Sequence, residues 1–115
     1  MTLDPKEVRY LHFIHESILL VQQYVGGTRE EFMADPMTQD AVVWRLQSIA
    51  DAARNHLSDG LKDRHPDIRW RAVYGFRNIA AHGYAGLNLD LVWEIAAEHL
   101  EPLRRVAREE LEGES

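Results

Sequence analysis

Leu11, Ile14, Ile18, Val21 and Val25 recur at spacings of three and four residues, the period that lays one apolar stripe along an α-helix. The stripe stops at Gly26-Gly27. Val42, Leu46, Ile49, Ala53 and Leu57 repeat the rhythm and end near Ser58-Asp59-Gly60. A third stretch is expected to open at His65-Pro66-Asp67, where proline suits the first helical turn and Asp67 the positive end of the dipole. It would run through Ile68, Ala72, Val73, Phe76, Ile79 and Ala80 towards a terminating Gly83. The fourth opens at Asn88 or Asp90 and continues through Leu89, Val92, Ile95, Ala96, Leu100, Leu103, Val106 and Ala107. Pro102 sits inside that pattern and should kink or restart the helix, since it removes a hydrogen bond and crowds the turn before it. No stretch alternates as a half-buried strand would, so the expected fold class is all-α, an antiparallel bundle of four to five helices.

A chain of 115 residues supports one modest core. The expected division is a helical domain over 1–108 and an acidic C-terminal tail over 109–115, where Glu109, Glu110, Glu112 and Glu114 gather. The absence of cysteine excludes disulfides, thiolate metal sites and cysteine nucleophiles. No run approaches the roughly 20 apolar residues of a membrane span. The start, Met1-Thr-Leu-Asp-Pro-Lys6, lacks the pattern of a signal peptide, and a cytoplasmic location is expected. Trp44, Trp70 and Trp93 are large for so small a core; one or two at an edge would favour a homodimer.

The net charge of −6 is unhelpful to a phosphate-binding protein, but its distribution is uneven. Between Lys62 and His82 stand Lys62, Arg64, Arg69, Arg71 and Arg77 against only Asp63 and Asp67. Within this basic island, Arg77 and His82 have four residues between them, and Tyr84 follows. Such a set suits RNA cleavage without a metal or cofactor. Histidine can move a proton to or from a ribose 2′-hydroxyl or a leaving oxygen near neutral pH. Arginine offers a permanent fork for phosphoryl oxygens. Five residues turn a helix by about 140°, so Arg77 and His82 share a face only at a frayed helix end. Asn78 and His82 are i,i+4 neighbours, making Asn78 a candidate orienter of the imidazole. An arginine and a histidine at this spacing also arise by chance, and residue chemistry alone leaves the function open.

The run Arg77-Asn78-Ile79-Ala80-Ala81-His82-Gly83-Tyr84 resembles the Arg-x4-His-x-Tyr motif of the HepT-like HEPN proteins. The similarity extends to Pro66-Asp67-Ile68-Arg69-Trp70-Arg71 upstream and Gly86-Leu-Asn-Leu-Asp-Leu-Val-Trp93 downstream, and covers nearly the whole chain, from about Leu3 to Arg105. The resemblance implies a HEPN-like helical homodimer that is a metal-independent endoribonuclease and the toxin of a toxin–antitoxin pair. It further implies a minimal nucleotidyltransferase as antitoxin, able to transfer AMP to the motif tyrosine. Carried over, Arg77 and His82 are the catalytic candidates and Tyr84 the AMP acceptor. This chain departs from the family, which often has Gly-Glu in the second helix, by carrying Ala50-Asp51; Asp51 is a supporting candidate whose contact to the basic site is expected to be looser, being one methylene shorter.

Arg69 and Arg71 are the better RNA-phosphate candidates because they precede the motif on the expected helix; Arg9 and Arg45 are weaker ones. Tyr74 fits either the core or a base-stacking surface. His12 and His15 have an i,i+3 spacing, but nothing on another segment completes a metal site with them. The competing reading is a non-catalytic helical module that binds a nucleotidyltransferase or a nucleotide, or a purely structural dimerisation domain.

Overall fold

Side chains that satisfy orphan backbone donors set where the helices begin. The computed structural model describes residues 3–79 and 87–113. Asp4 accepts from the Lys6 amide at 2.8 Å and starts α1, Pro5–Tyr24. Thr28 and Glu31 form a reciprocal capping box at α2, Arg29–Met33. Asp35 caps α3, Pro36–His56, by accepting from the Thr38 amide at 3.2 Å. Ser58 does the same for α4, Asp59–Asp63, through the Leu61 amide. A turn follows, and α5 spans Trp70–Gly75 before tightening into a 3₁₀ turn, Phe76–Asn78. Asn88 caps α6, Leu89–Glu94, which runs into a π-helical turn, Ile95–His99, and then α7, Glu101–Glu112.

Helix α1 packs against both α3 and α7. Contacts run in opposite chain directions: Glu7 meets Ser58, Tyr10 meets His56 and Ser17 meets Arg45, so α1 and α3 are antiparallel. Between them lie Leu11, Ile14, Ile18 and Val21 of α1 and Val42, Leu46, Ile49 and Ala53 of α3, all at 1% exposure or less. Polar groups that enter this layer find partners. The buried Gln39 amide donates to the Phe32 and Met33 carbonyls at 2.9 and 3.1 Å, and the Glu7 carboxylate accepts from the Ser58 amide at 2.7 Å.

The described residues are helical with no strand among them, as the periodicity implies. Pro102 falls in the first turn of α7, directly after the π-helical turn, so the last apolar stripe is interrupted and restarted where proline predicts. The third stretch departs from expectation. Its helix begins at Trp70, not at His65-Pro66-Asp67, because those residues form a turn in which the Ile68 amide donates to the His65 carbonyl at 3.2 Å. The Trp70 indole Nε1 donates to the same carbonyl, and His65 and Arg64 bond Glu110 of α7, anchoring this turn to the bundle. Ala72 is accordingly exposed while Val73 is buried. The connections around Glu30 and Gly60 are short helices rather than irregular chain. The expected end of the third stretch, Ala80 and Gly83, lies outside the described residues. No helix among the described residues is long and apolar enough to cross a membrane.

Candidate active site

Arg77 stands on the 3₁₀ turn that ends α5, where its exposed side chain faces α3. The guanidinium Nη1 donates to Asp51 Oδ1 at 3.2 Å, and the Asn55 amide donates to that same oxygen at 2.9 Å. One turn earlier on α3, the Gln47 amide donates to the Arg77 backbone carbonyl at 3.3 Å. Gln47 and Asp51 are i,i+4 neighbours. Together they fix both the backbone and the side chain of Arg77 from a long, well-buried helix. Asp51 and Arg77 keep 49% and 59% of their side-chain surface in solvent, so the pair adds little stability and leaves the guanidinium reachable.

This pair borders an open depression of about 480 Å³ lined by Tyr10, Phe13, Trp44, Gln47, Ser48, Asp51, Ala52 and Arg77. Trp44 is 57% exposed, and the Arg45 guanidinium lies 5.0 Å from its ring centroid while donating to Ser17 Oγ at 3.1 Å. Tyr10 stacks on His56 with centroids 3.7 Å apart and planes within 2°.

The remaining sequence candidates divide. Asp51 reaches the basic residue it was expected to support. Asn78 and Arg69 do not share the Arg77 depression; both line a second, more apolar groove of about 660 Å³ between α5 and the α6–α7 arm. Arg69 precedes α5 rather than lying on it, and Arg71 is exposed on α5. Tyr74 is half-buried against the core, with the Lys62 ammonium 4.9 Å from its ring. Trp70 and Trp93 pack against the core, the latter against Phe32. His82 and Tyr84 lie outside the described residues, as does any contact between Asn78 and His82. Residue-level reasoning passed over Gln47 and Trp44 as site residues. Both gain their place only where α1, α3 and the 3₁₀ turn meet, which is a tertiary event.

Among the described residues, the group close enough to hold a metal is Glu94, Glu98 and His99, all exposed; His12 and His15 do not recruit a third ligand. His15 has a buried Nε2 with no hydrogen-bond partner, and its pKa is lowered by burial and then by Arg104 and Arg108. Elsewhere, Glu101 is held down to about 2 by bonds from Arg104 and Gln22. Glu110 is lowered by its bonds to Arg64 and His65.

Comparison with known proteins gives a consistent result. A family model described as Ribonuclease HepT-like matches residues 14–110. A protein of Thermococcus cleftensis named "probable ribonuclease HepT" is 33% identical over 96 residues, covering 83% of this chain and 86% of that one. A relative from Caldanaerobacter subterraneus with a provisional RNase name is 28% identical over 103 residues, 90% of this chain and 91% of its own. The "mRNA nuclease HepT" of Shewanella oneidensis is 29% identical over 102 residues, covering 69% and 77% of the two chains. No solved structure gives a significant match to the chain. The match over residues 14–110, which takes in most of the described helices, places this chain in the Ribonuclease HepT-like family.

Proposed function

We propose that the protein is a metal-independent endoribonuclease toxin in which Arg77 and His82 carry the chemistry. The observation that carries this reading is the geometry of Arg77, exposed at a helix end and held at its carbonyl by Gln47 and at its guanidinium by Asp51. An exposed, oriented guanidinium can bind the phosphoryl oxygens as their charge grows. His82 then takes the proton from the 2′-hydroxyl that attacks phosphorus, or gives one to the departing 5′-oxygen. Asp51 supports Arg77 directly; Asn78 is a supporting candidate only through His82, and Arg69 and Arg71, away from the Arg77 depression, would bring positive charge to RNA that extends beyond it. A homodimer would place two such sets together.

The neutralising partner in this reading is a minimal nucleotidyltransferase that adenylylates Tyr84. The added bulk and negative charge beside His82 would repel the RNA phosphate, as phosphorylation does. The acidic balance of the chain favours a second reading, a non-catalytic module that binds such a partner or a nucleotide. One assay separates the two: RNA cleavage in EDTA by wild type, Arg77→Ala and His82→Ala. Cutting by wild type, lost by at least a hundredfold in both variants with unchanged circular dichroism, is expected. No cutting of varied RNAs, or equal cutting by the variants, moves the assignment to the binding module.

A further inference from the structure

Trp44 is the one large aromatic among the described residues that α3 leaves more than half exposed, and it shares a depression with the exposed Arg77. An exposed indole set among polar groups offers a flat face on which a planar ring can stack. Its surroundings are chemically mixed. The depression also presents Tyr10 and Phe13 from α1 and Ser48 and Asp51 from α3. Arg45, itself bonded to Ser17, lies 5.0 Å from the indole centroid, a contact that favours one orientation of the ring.

We propose that this depression is a nucleobase subsite, in which Trp44 stacks an unpaired base of single-stranded RNA whose phosphate reaches Arg77. The proposal rests on the ribonuclease reading above and deepens it by naming the form of the substrate. A base supplies what the depression lacks, a flat π-face for the indole and a polar edge for the side chains beside it. The bases of a duplex have both faces covered by their neighbours and cannot enter. An apolar protein face laid over the same ground would strip water from Asp51, Arg77 and Ser48 without replacing its hydrogen bonds. At about 480 Å³ the depression is within the size range of small-molecule pockets.

The test uses the full chain and a fluorescein-labelled single strand with 2′-O-methyl riboses, which binds but cannot supply the attacking hydroxyl. Affinity is read by fluorescence anisotropy at fixed salt, and oligomeric state by sedimentation. Trp44→Ala is expected to weaken single-strand binding about tenfold, with Trp44→Phe retaining most of it and duplex binding unchanged in both. The proposal is overturned if Trp44→Ala binds the single strand as wild type does, if no RNA binds at all, or if Trp44→Ala dissociates a dimer, which assigns the face to a second copy. Wild type that binds through Trp44 but never cuts an unmodified strand sinks the ribonuclease reading and keeps the subsite. Wild type that cuts, with all three proteins binding equally, does the reverse.

Discussion

Asp51 accepts from Arg77 and from Asn55 through the same carboxylate oxygen, at 3.2 and 2.9 Å, so one acid on α3 orients the arginine while being oriented itself. With both partners of the ion pair about half exposed, its worth lies in position rather than in stability.

Removing that contact should therefore separate activity from folding. Asp51→Ala is expected to change the unfolding free energy by less than about 1 kcal/mol while lowering cleavage roughly tenfold, through a guanidinium that no longer points one way. Asp51→Glu, one methylene longer, should recover most of the loss. Melting curves and steady-state cleavage of one RNA check both; a large stability loss in Asp51→Ala would assign the residue to structure instead.

Acid should loosen the junction between α7 and the turn before α5. Glu110 bonds both Arg64 and His65, and these partners hold its pKa below the ordinary 4.5. A carboxylate whose folded pKa is depressed stabilises the fold above its unfolded value, and that contribution disappears as pH falls from 4.5 through the folded value. Glu110→Gln is thus expected to cost about 1–2 kcal/mol at neutral pH and progressively less on acidification. Denaturant titrations from pH 7 downwards measure the gap; one that stays constant with pH contradicts the ionic origin.

The core between α1 and α3 should be the least forgiving region. Leu46 is fully buried there, so Leu46→Ala is expected to cost about 2–5 kcal/mol through lost transfer energy and a residual cavity. A chemical denaturation midpoint shifted without change in slope would show it, and a cost below about 1 kcal/mol would mean that the layer collapses to fill the space.

The apolar period identified the residues that α1, α3 and α7 bury, because a helix that must cover one face shows that face in its spacing. Every member of the first two stripes is buried, from Leu11 to Val25 and from Val42 to Leu57. Pro102 likewise announced the restart of the last helix through its missing amide. The third stretch misled because its apolar residues mix two local geometries, a turn that buries Ile68 and a short helix that buries Val73. The capping signals at Thr28 and Ser58 were present in the chain, and the helices they start are short enough to be passed over.

By itself, then, the order of residues determined the helical class and most of the buried face, since these depend on spacings of three and four residues along one segment; Arg77 was singled out as a candidate by the resemblance of the run from Arg77 to Tyr84, not by spacing alone. Tertiary structure alone decided that Gln47 would join Asp51 in gripping Arg77, that Asn78 and Arg69 would face a different groove, and that Trp44 would stand exposed in the same depression as the arginine. The physical reason is that each of these depends on how one helix is rotated and seated against another. That seating is set by the summed packing of the whole core, which no local spacing encodes.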